Sequence, residues 1–275
     1  MSIATELIAL LERYAAKLPP PRVRALHLPP PPAEGAKNGE FCALELEDGA
    51  VGLSYVLLGD TLAHLAASGD IAGAASLDVA RHYLGADPAR RALGFAAVNA
   101  LTASLFARAG YQPDNSADSI GLLDPRPGDH VGMIGLFRPL VGRIAGAGAQ
   151  LTVAELKAEL AGEQAGYRVT LEAEDLAPCN KVLSTSTVLL NDTLDRMIAA
   201  CRSARYFALV GPGAGCLPDP LFARGVTLLG GTRVTDLPGL RAALPTGQSW
   251  SHCAAKFAIR REDYPGFEAL LARAR

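Results

Sequence analysis

Residues 181–215 follow the pattern strand, polar loop, helix, strand and glycine-rich loop. Residues 182–185 form a short predicted strand, and Tyr206–Val210 is an almost wholly apolar run, typical of a strand covered on both faces. Between them, apolar residues at spacings of three and four predict a helix that Asn191 or Asp192 caps. Strands joined by a helix imply a parallel sheet, and ligands of such sheets bind outside the carboxyl ends of the strands. We therefore expect function in the loops that follow these two strands.

The first 120 residues have the pattern of helices around a small antiparallel sheet. Asp48 and Gly49 predict a hairpin turn between two alternating runs. Ser76 is a predicted helix cap, and Pro88 in the first turn after Asp87 is the start signal of the next predicted helix. The predicted elements are helix 3–17, strands 22–28, 41–47 and 50–58, and helices 76–84 and 88–109, with a proline loop at 29–32.

A polar segment at 112–127 marks a predicted domain boundary, after which strands and helices alternate. The predicted elements there are strands 130–136, 150–156, 182–185, 206–210, 226–229 and 254–259, with further helices at 140–147 and 218–223. This alternation is typical of an open three-layer α/β fold. We predict an α+β domain at residues 1–120 and an open parallel-sheet domain at residues 121–275.

Composition narrows the class of protein. Of the 275 residues, 49% are hydrophobic and 20% charged, as in ordinary soluble proteins, and no apolar run approaches the length of a membrane span. The amphipathic N-terminal helix carries Glu6 and Glu12, unlike a signal peptide. A net charge of −2 gives no electrostatic reason to expect nucleic acid or an anionic membrane as partner. Five cysteines without a CxxC pair indicate no disulfide framework and favour a cytoplasmic location.

The turn after the first strand of the second domain shows whether the sequence has a dinucleotide-binding motif. A dinucleotide site requires G-x-G-x-x-G there, but Gly135 is followed by Phe137-Arg138-Pro139. Glu155 does end the second strand, where an acidic residue would hold a ribose. Standard NAD binding is therefore not expected, while an unusual nucleoside or adenosyl ligand stays open.

Three other features offer candidate chemistry. Asn99 lies within a long apolar helix, where its amide either ties down a neighbouring loop or contacts a ligand. The glycines of the loop from Gly211 to Cys216 either expose N–H groups to a ligand or form a tight turn. Cys216 precedes a predicted helix whose dipole would lower the pKa of its thiol. No HxH, HExxH, GxSxG or P-loop motif is present, so no catalytic residue is assigned.

The motifs of the second domain resemble those of the heavy-metal chelation family, a family of unknown function with a Rossmann-like domain. The resemblance rests on Ile134-Gly135-Leu136-Phe137, Glu155, the loop Thr185-Ser186-Thr187-Val188-Leu189-Leu190-Asn191-Asp192-Thr193 and Gly211-Pro212. The first domain is similar to that family's enolase N-terminal-like partner, in which Asn99-Ala100-Leu101 falls within a long helix. Two loops depart from the family's commonest form: T-G-T is Thr185-Ser186-Thr187 here, and G-P-S-x-P is Gly211-Pro212-Gly213-Ala214-Gly215.

The resemblance implies that the protein binds a metal ion, or a small metal-chelating metabolite, in the cleft between its domains. The alternatives are an enzyme that modifies or synthesises such a metabolite with a nucleotide- or adenosyl-type cofactor, and a structural or regulatory partner protein. The cofactor is unknown, with a divalent transition metal as the candidate, and a homodimer stays open. The expected ligand-binding residues are Asn99, Gly135, Phe137, Glu155, Thr185, Ser186, Asn191, Gly211, Pro212 and Gly213, and the expected metal ligands are Glu155 and Cys216.

The expected site lies at one edge of the sheet. The loops after four candidate parallel strands, at Gly135, Glu155, Thr185 and Gly211, should line a single crevice. Asn99 would close that crevice from the first domain. Hydroxyl and amide groups without a neighbouring base favour recognition by hydrogen bonds over proton transfer.

Overall fold

The computed structural model describes residues 1–31, 40–116, 122–191 and 193–275. The end of the predicted proline loop, part of the predicted boundary segment and the predicted cap Asp192 lie outside these residues. None of the described helices is both long enough and apolar enough to cross a membrane.

The first half of the chain forms a three-stranded antiparallel sheet in the order β1-β2-β3, with helices packed against it. Its elements are α1 (Ile3–Lys17), β1 (Val23–His27), β2 (Phe41–Leu46), β3 (Val51–Tyr55), α2 (Thr61–Ala67), α3 (Ser76–Arg81) and α4 (Pro88–Arg108). The predicted turn between β2 and β3 is present: Gly49 has a φ of +87°, and the Asp48 carboxylate accepts a hydrogen bond from the Ala50 amide at 3.1 Å.

The second half is built on a nine-stranded sheet. Its elements are β4 (Asp114–Asn115), β5 (His130–Ile134), α5 (Arg138–Gly146), β6 (Gln150–Ala154), β7 (Gly162–Gln164), β8 (Tyr167–Thr170), β9 (Lys181–Thr185), α6 (Leu194–Ala200), β10 (Tyr206–Val210), α7 (Asp219–Phe222), β11 (Leu228–Val234), α8 (Leu237–Ala243), β12 (Ala254–Arg260) and α9 (Phe267–Arg273). The strand order is β4-β12-β11-β10-β9-β5-β6-β8-β7. The six strands from β11 to β8 are parallel, and β4, β12 and β7 pair antiparallel at the edges. The structure thus confirms the predicted α/β fold with a large, mostly parallel sheet.

Differences from the predicted elements have local causes. Strands β7 and β8 were not predicted. Strand β7 is a polar, fully exposed edge strand without an apolar pattern, so no local signal marks it. Strand β11 extends to Val234, whereas the prediction ended it at 229, before Gly230-Gly231. Gly231 pairs with Phe257 of β12 and so belongs to the strand. Only glycine fits there, because a Cβ atom would lie 2.3 Å from the Ala214 carbonyl oxygen. The large sheet also includes Asp114 and Asn115, and the boundary at residue 120 stays a prediction.

The predicted caps Ser76 and Asn191 are wrong, and the predicted helix start at Asp87-Pro88 is confirmed. The Asp87 carboxylate accepts a hydrogen bond from the Arg90 amide at 2.7 Å, as expected of a cap. Ser76 is already helical, because α3 begins after Ala75. Helix α6 begins after Thr193, and Asn191 instead accepts hydrogen bonds from the amide and hydroxyl of Thr193, which forms a turn ahead of the helix.

Helix α4 is the centre of the molecule, with 16 of its 21 residues buried. A helix buried on all faces needs cover on every side, and here both halves supply it. The largest apolar cluster accordingly includes Leu11 and Leu101 from the first half together with Val182 and Leu209 from the second. The two halves therefore share one core, and a smaller cluster fills the other face of the large sheet.

The closest approach to α4 occurs at Gly52 of β3. A Cβ atom added at Gly52 would lie 2.0 Å from the Ala96 carbonyl oxygen and 2.3 Å from the Ala100 amide nitrogen. Both are backbone atoms of a buried helix, which cannot move aside as a flexible side chain can. Strand β3 can therefore lie directly on α4 only with glycine at this position.

We expect Gly52→Ala to lower the free energy of unfolding by at least about 3 kcal/mol, or to prevent folding, because the added methyl overlaps backbone atoms. Gly142→Ala is the control: it lies in α5 with no atom within 4 Å of the added Cβ. That variant should be stabilised by about 0.5–1 kcal/mol, since alanine favours a helix. Urea unfolding measures both, and equal midpoints for the two variants would contradict the packing argument.

A buried carboxylate also joins the two halves. Glu45 of β2 has a fully buried side chain and forms a bidentate ion pair with Arg241 of α8. Arg24 and His27 of β1 contact the same carboxylate at 3.1 and 3.0 Å. Burial by itself would raise the pKa of Glu45, but hydrogen bonds from Arg241 and His27 and their charges outweigh it, so the pKa lies below 4.5.

Glu45→Gln should lower the free energy of unfolding by about 2 kcal/mol at pH 7, below the roughly 3–5 kcal/mol of a fully buried pair because Arg241 and Arg24 are half exposed. A carboxylate with a lowered folded-state pKa stabilises above its unfolded pKa, and this contribution disappears as the pH falls through the folded value. The difference from wild type should therefore be constant above pH 5 and shrink below pH 4.5. Glu268→Gln, which breaks the exposed pair with Arg13, should leave the unfolding midpoint nearly unchanged at either pH. A difference that grows toward acid pH would refute the assignment.

Candidate functional site

The predicted loops lie side by side along the carboxyl edge of the parallel strands. Glu155, after β6, accepts a hydrogen bond from the Leu136 amide of the neighbouring loop after β5. A Cβ atom at Gly135 would lie 2.9 Å from the methyl carbon of Thr185, which ends β9. A Cβ atom at Gly211, after β10, would lie 2.3 Å from the Ser186 hydroxyl oxygen. These loops therefore form a continuous row, which we call the edge row.

Asn99 connects α4 to both halves of the molecule. Its side-chain nitrogen donates hydrogen bonds to the carbonyl oxygens of Leu53 in β3, at 2.7 Å, and of Gly213 in the glycine loop, at 2.9 Å. The residue is only 3% exposed. Among the described residues its Oδ1 atom has no hydrogen-bond partner, although the oxygen is buried. The amide thus holds the glycine loop, as one sequence interpretation expected, and leaves a strong acceptor unsatisfied.

A cavity of about 480 Å³ opens beside Asn99, between the two halves. One wall is formed by β3 and α4, and the other by β11, Phe257 of β12 and the glycine loop. The lining residues are Asp48, Gly49, Ala50, Val51, Gly52, Leu53, Asn99, Ala103, Phe106, Ala107, Tyr111, Gln112, Pro113, Pro212, Gly215, Thr232, Arg233, Val234, Thr235 and Phe257. A mainly apolar cavity of this size with a few polar groups is typical of a small-molecule site.

The cavity takes up only part of the predicted site. Asn99 and Pro212 line it, and Gly211 and Gly213 belong to the same glycine loop. The other predicted ligand-binding residues, Gly135, Phe137, Glu155, Thr185, Ser186 and Asn191, are not among its lining residues. The expected single crevice is thus divided into this cavity and the edge row.

Arg233 carries the positive charge of the cavity wall. Its guanidinium donates to the side-chain oxygen of Asn115 at 2.9 Å, and the Gln112 amide, with its oxygen turned toward Arg233, accepts at 2.9 and 3.0 Å. Within the described ranges no carboxylate lies at ion-pair distance from Arg233, so its neighbours are neutral amides. A guanidinium without a carboxylate partner can bind an anionic group of a ligand, although Asp48 adds a carboxylate to the same cavity lining.

Tyr111 lines the same end of the cavity. Burial, together with the negative charges of Asp114 and Asp263, raises the pKa of its hydroxyl to about 12. The hydroxyl therefore stays protonated at neutral pH and can donate or accept a hydrogen bond. The sequence analysis did not select Tyr111, Gln112 or Arg233, because no local motif marks them. They meet only through the pairing of β11 and β12 with the segment around β4.

Cys216 does not have the reactive environment that the sequence suggested. Its side chain is fully buried, and burial raises the pKa of its thiol to about 12. The helix that follows, α7, has only four residues, so its dipole is small. The loops that hold Cys216 and Glu155 follow β10 and β6, which are three strand spacings, roughly 14 Å, apart. The structure therefore gives no reason to pair these two residues as metal ligands.

A bare metal ion fits the described part of the chain poorly. No group of three or more His, Cys, Asp or Glu side chains is placed there to hold one. All five cysteines are buried, and burial raises the pKa of each thiol, which disfavours the thiolate that a soft metal requires.

Comparison with protein families identifies the chain. Residues 118–262 match the model of family DUF364, which is described as "Putative heavy-metal chelation", and residues 39–102 match DUF4213, which has the same description. The chain belongs to the DUF364 family. This confirms the resemblance that the strand-end motifs suggested.

Two crystal structures of proteins of unknown function from this family are similar to the chain. The protein from Pyrococcus horikoshii is 18% identical with a TM-score of 0.68, and the match covers 94% of this chain and 100% of the other. The protein from Desulfitobacterium hafniense DCB-2 is 19% identical with a TM-score of 0.65, covering 94% and 99%. At these identities the likeness concerns the fold alone. Comparison with curated proteins gave no match.

Asn99→Ala should lower the free energy of unfolding by about 1–3 kcal/mol, because the loss of a donor by both the Leu53 and Gly213 carbonyl oxygens outweighs the removal of the unpaired Oδ1. Thr102→Val, on the same helix, is the control. The Thr102 hydroxyl donates only to the Val98 carbonyl, which already belongs to the helix, so the change should stay within about 1 kcal/mol. Thermal and urea unfolding measure both, and an Asn99→Ala effect no larger than that of Thr102→Val would contradict the bridging role.

Proposed function

We propose that the protein binds a small metal-chelating metabolite in the cavity between its two halves. The observation that carries the proposal is the unpaired Oδ1 of Asn99, a buried acceptor at the wall of the 480 Å³ cavity. Leaving such an atom without a partner is unfavourable by about 1–3 kcal/mol. The oxygen is buried, so a ligand that donates a hydrogen bond to it would recover this energy after a side-chain shift that opens the oxygen to the cavity. The family description supports a metal chelator as the chemical class of the ligand. The geometry of the cavity supports the junction beside Asn99 as the place where it binds.

A chelator suits the cavity better than a bare ion. The described residues provide no cluster of three metal-binding side chains, so the ligand must bring the donor atoms itself. Arg233 favours a carboxylate on the ligand, and Asn99 favours a hydroxyl or N–H group. Phe106, Phe257 and Val51 surround the space between them, which favours an apolar ring. A carboxylated ring with hydroxyl or N–H groups combines these features.

Thermal-shift titration with 2,3-dihydroxybenzoate, picolinate and benzoate, each with and without Ni²⁺, tests the proposal. A bound compound at 100 times its Kd stabilises by about 2.7 kcal/mol, which corresponds to a rise in Tm of roughly 5 °C for a chain of this length. We expect 2,3-dihydroxybenzoate to give the larger shift and benzoate, which has no donor for Asn99, a smaller one. Ni²⁺ alone should give no saturable shift.

Ala103→Leu serves as the blocking variant, because Ala103 lines the cavity and the longer side chain would project into it. Ala63→Leu adds the same group at an exposed position of α2 and is the control. The shift should disappear in Ala103→Leu and persist in Ala63→Leu. If neither chelator shifts the Tm, if the shift is the same in both variants, or if Ni²⁺ alone binds in stoichiometric amount, the proposal is wrong.

A further inference from the structure

The cavity beside Asn99 is lined by one acidic and one basic side chain. Of its described lining residues, only Asp48 is a carboxylate and only Arg233 carries a permanent positive charge. The two side chains form no ion pair with each other, and in the described segments of the chain neither has another partner of opposite charge at ion-pair distance. Opposite charges that face one space without pairing can each bind a charged group of a ligand.

The Asp48 carboxylate is fixed at the rim of the cavity. It accepts hydrogen bonds from the Ala50 amide at 3.1 Å and from the Ser104 hydroxyl of α4 at 2.6 Å. The Tyr14 hydroxyl of α1 lies 3.1 Å from the Ser104 oxygen, and both residues are fully buried. Because the hydrogen of Ser104 is directed at Asp48, Tyr14 donates to Ser104. The carboxylate is therefore held in one orientation, and each of its oxygens can accept a further hydrogen bond.

The two charged groups lie toward the C-terminal end of α4, and the buried Asn99 lies further back along the helix. Ser104, which holds Asp48, follows Asn99 by five residues, a rise of about 7.5 Å. Gln112, which binds Arg233, comes after the helix has ended. A ligand that reaches all three groups therefore carries its two charges at one end and a hydrogen-bond donor at the other.

An α-amino acid has this distribution of charge, since its ammonium and carboxylate groups are attached to one carbon atom. The ammonium group has three N–H donors for Asp48, and a carboxylate can accept two parallel N–H groups from Arg233. The apolar space between this end and Asn99, enclosed by Phe106 and Phe257, suits a ring side chain. A ring with an N–H group would also reach the acceptor of Asn99.

The same arrangement selects one form of a chelator. An amine binds a metal ion only after it has lost its proton, and the neighbouring carboxylate then joins the same metal. Both groups are therefore occupied either by the metal or by Asp48 and Arg233. The cavity favours the metal-free ligand.

We propose that the ligand is an α-amino acid with a ring side chain, or a compound built on one, bound as the metal-free zwitterion with its ammonium group on Asp48 and its carboxylate on Arg233. This inference rests on the proposed use of the cavity as a ligand site and narrows the chemical class of that ligand.

Isothermal titration calorimetry with L-histidine, histamine and imidazole-4-acetate in metal-free buffer at pH 7.5 tests the inference. The three compounds share a ring that is largely neutral at this pH, and they differ in whether the side arm is zwitterionic, cationic or anionic. We expect L-histidine to bind about tenfold more tightly than either analogue, because each analogue lacks one charge-assisted hydrogen bond. Absence of L-histidine binding, or equal affinity for either analogue, overturns the inference.

Addition of Ni²⁺ tests the metal-free form. An amount of Ni²⁺ equal to that of L-histidine should weaken the binding of L-histidine at least tenfold, because the metal removes the free zwitterion from solution. Unchanged or tighter binding in the presence of Ni²⁺ overturns the assignment of the metal-free form.

Charge-neutral variants assign the two ends of the ligand. Asp48→Asn should weaken L-histidine and histamine about tenfold and leave imidazole-4-acetate unchanged. Arg233→Gln should weaken L-histidine and imidazole-4-acetate and leave histamine unchanged. Asp114→Asn and Arg260→Gln remove exposed charges outside the cavity lining, so these controls should bind all three compounds as wild type does. An equal loss for all three compounds, in a variant that keeps the wild-type Tm, overturns the assignment.

Failure of this inference can be told apart from failure of the proposed function. If 2,3-dihydroxybenzoate binds and Ala103→Leu blocks it while L-histidine does not bind, the cavity is a ligand site and only the zwitterion is wrong. If L-histidine binds equally to wild type and to Ala103→Leu, it binds elsewhere, and the inference is wrong whether or not the cavity binds 2,3-dihydroxybenzoate.

Discussion

Helix α4 is buried on all sides, because both halves of the molecule pack against it. The arrangement of the two halves therefore depends on their contacts with this helix. Strand β3 lies against its backbone at Gly52, while the glycine loop approaches it from the large sheet. Asn99 is the polar group at this junction, and its side-chain nitrogen binds a carbonyl from each side. A buried amide in this position orients the halves, because a shift of either sheet breaks the hydrogen bond on that side.

The same junction produces the cavity. Where α4 meets β3 and the glycine loop, small residues such as Ala103 and Gly215 leave space that the aromatic rings of Phe106 and Phe257 enclose without filling. The polar groups at its wall come from different parts of the chain: Asn99 from α4, and Arg233 from β11. A buried acceptor without a partner is unusual in a folded interior. The Arg233 guanidinium, at the partly exposed rim, is bound by neutral amides. Together the two groups favour a ligand that carries both a hydrogen-bond donor and an anionic group.

The edge row is a different kind of surface. Backbone amides in the loop after β5 are committed to internal hydrogen bonds, and the Glu155 carboxylate is held by the Leu136 and Leu156 amides. The Glu45 ion pair, the Asn99 bridge and the hydrogen bond from the Tyr83 hydroxyl to the Leu189 carbonyl hold the first half against the second. The cavity and the edge row therefore lie on one shared core.

The sequence by itself determined the α/β class, the family and nearly all central strands, because apolar runs such as Tyr206–Val210 carry a local signal of burial. It also placed Glu155 and the glycine loop at strand ends, since strand ends follow from the same pattern. It missed β7, which has no apolar pattern, and wrongly placed Cys216 in a reactive setting, because the burial of a thiol depends on residues distant in the chain. Only the tertiary structure decided that Asn99 bridges two carbonyls and that Arg233 and Tyr111 share its cavity. Local propensity acts over a few residues, whereas a cavity is made by segments such as 48–53, 99–113 and 232–235, which are brought together by packing alone.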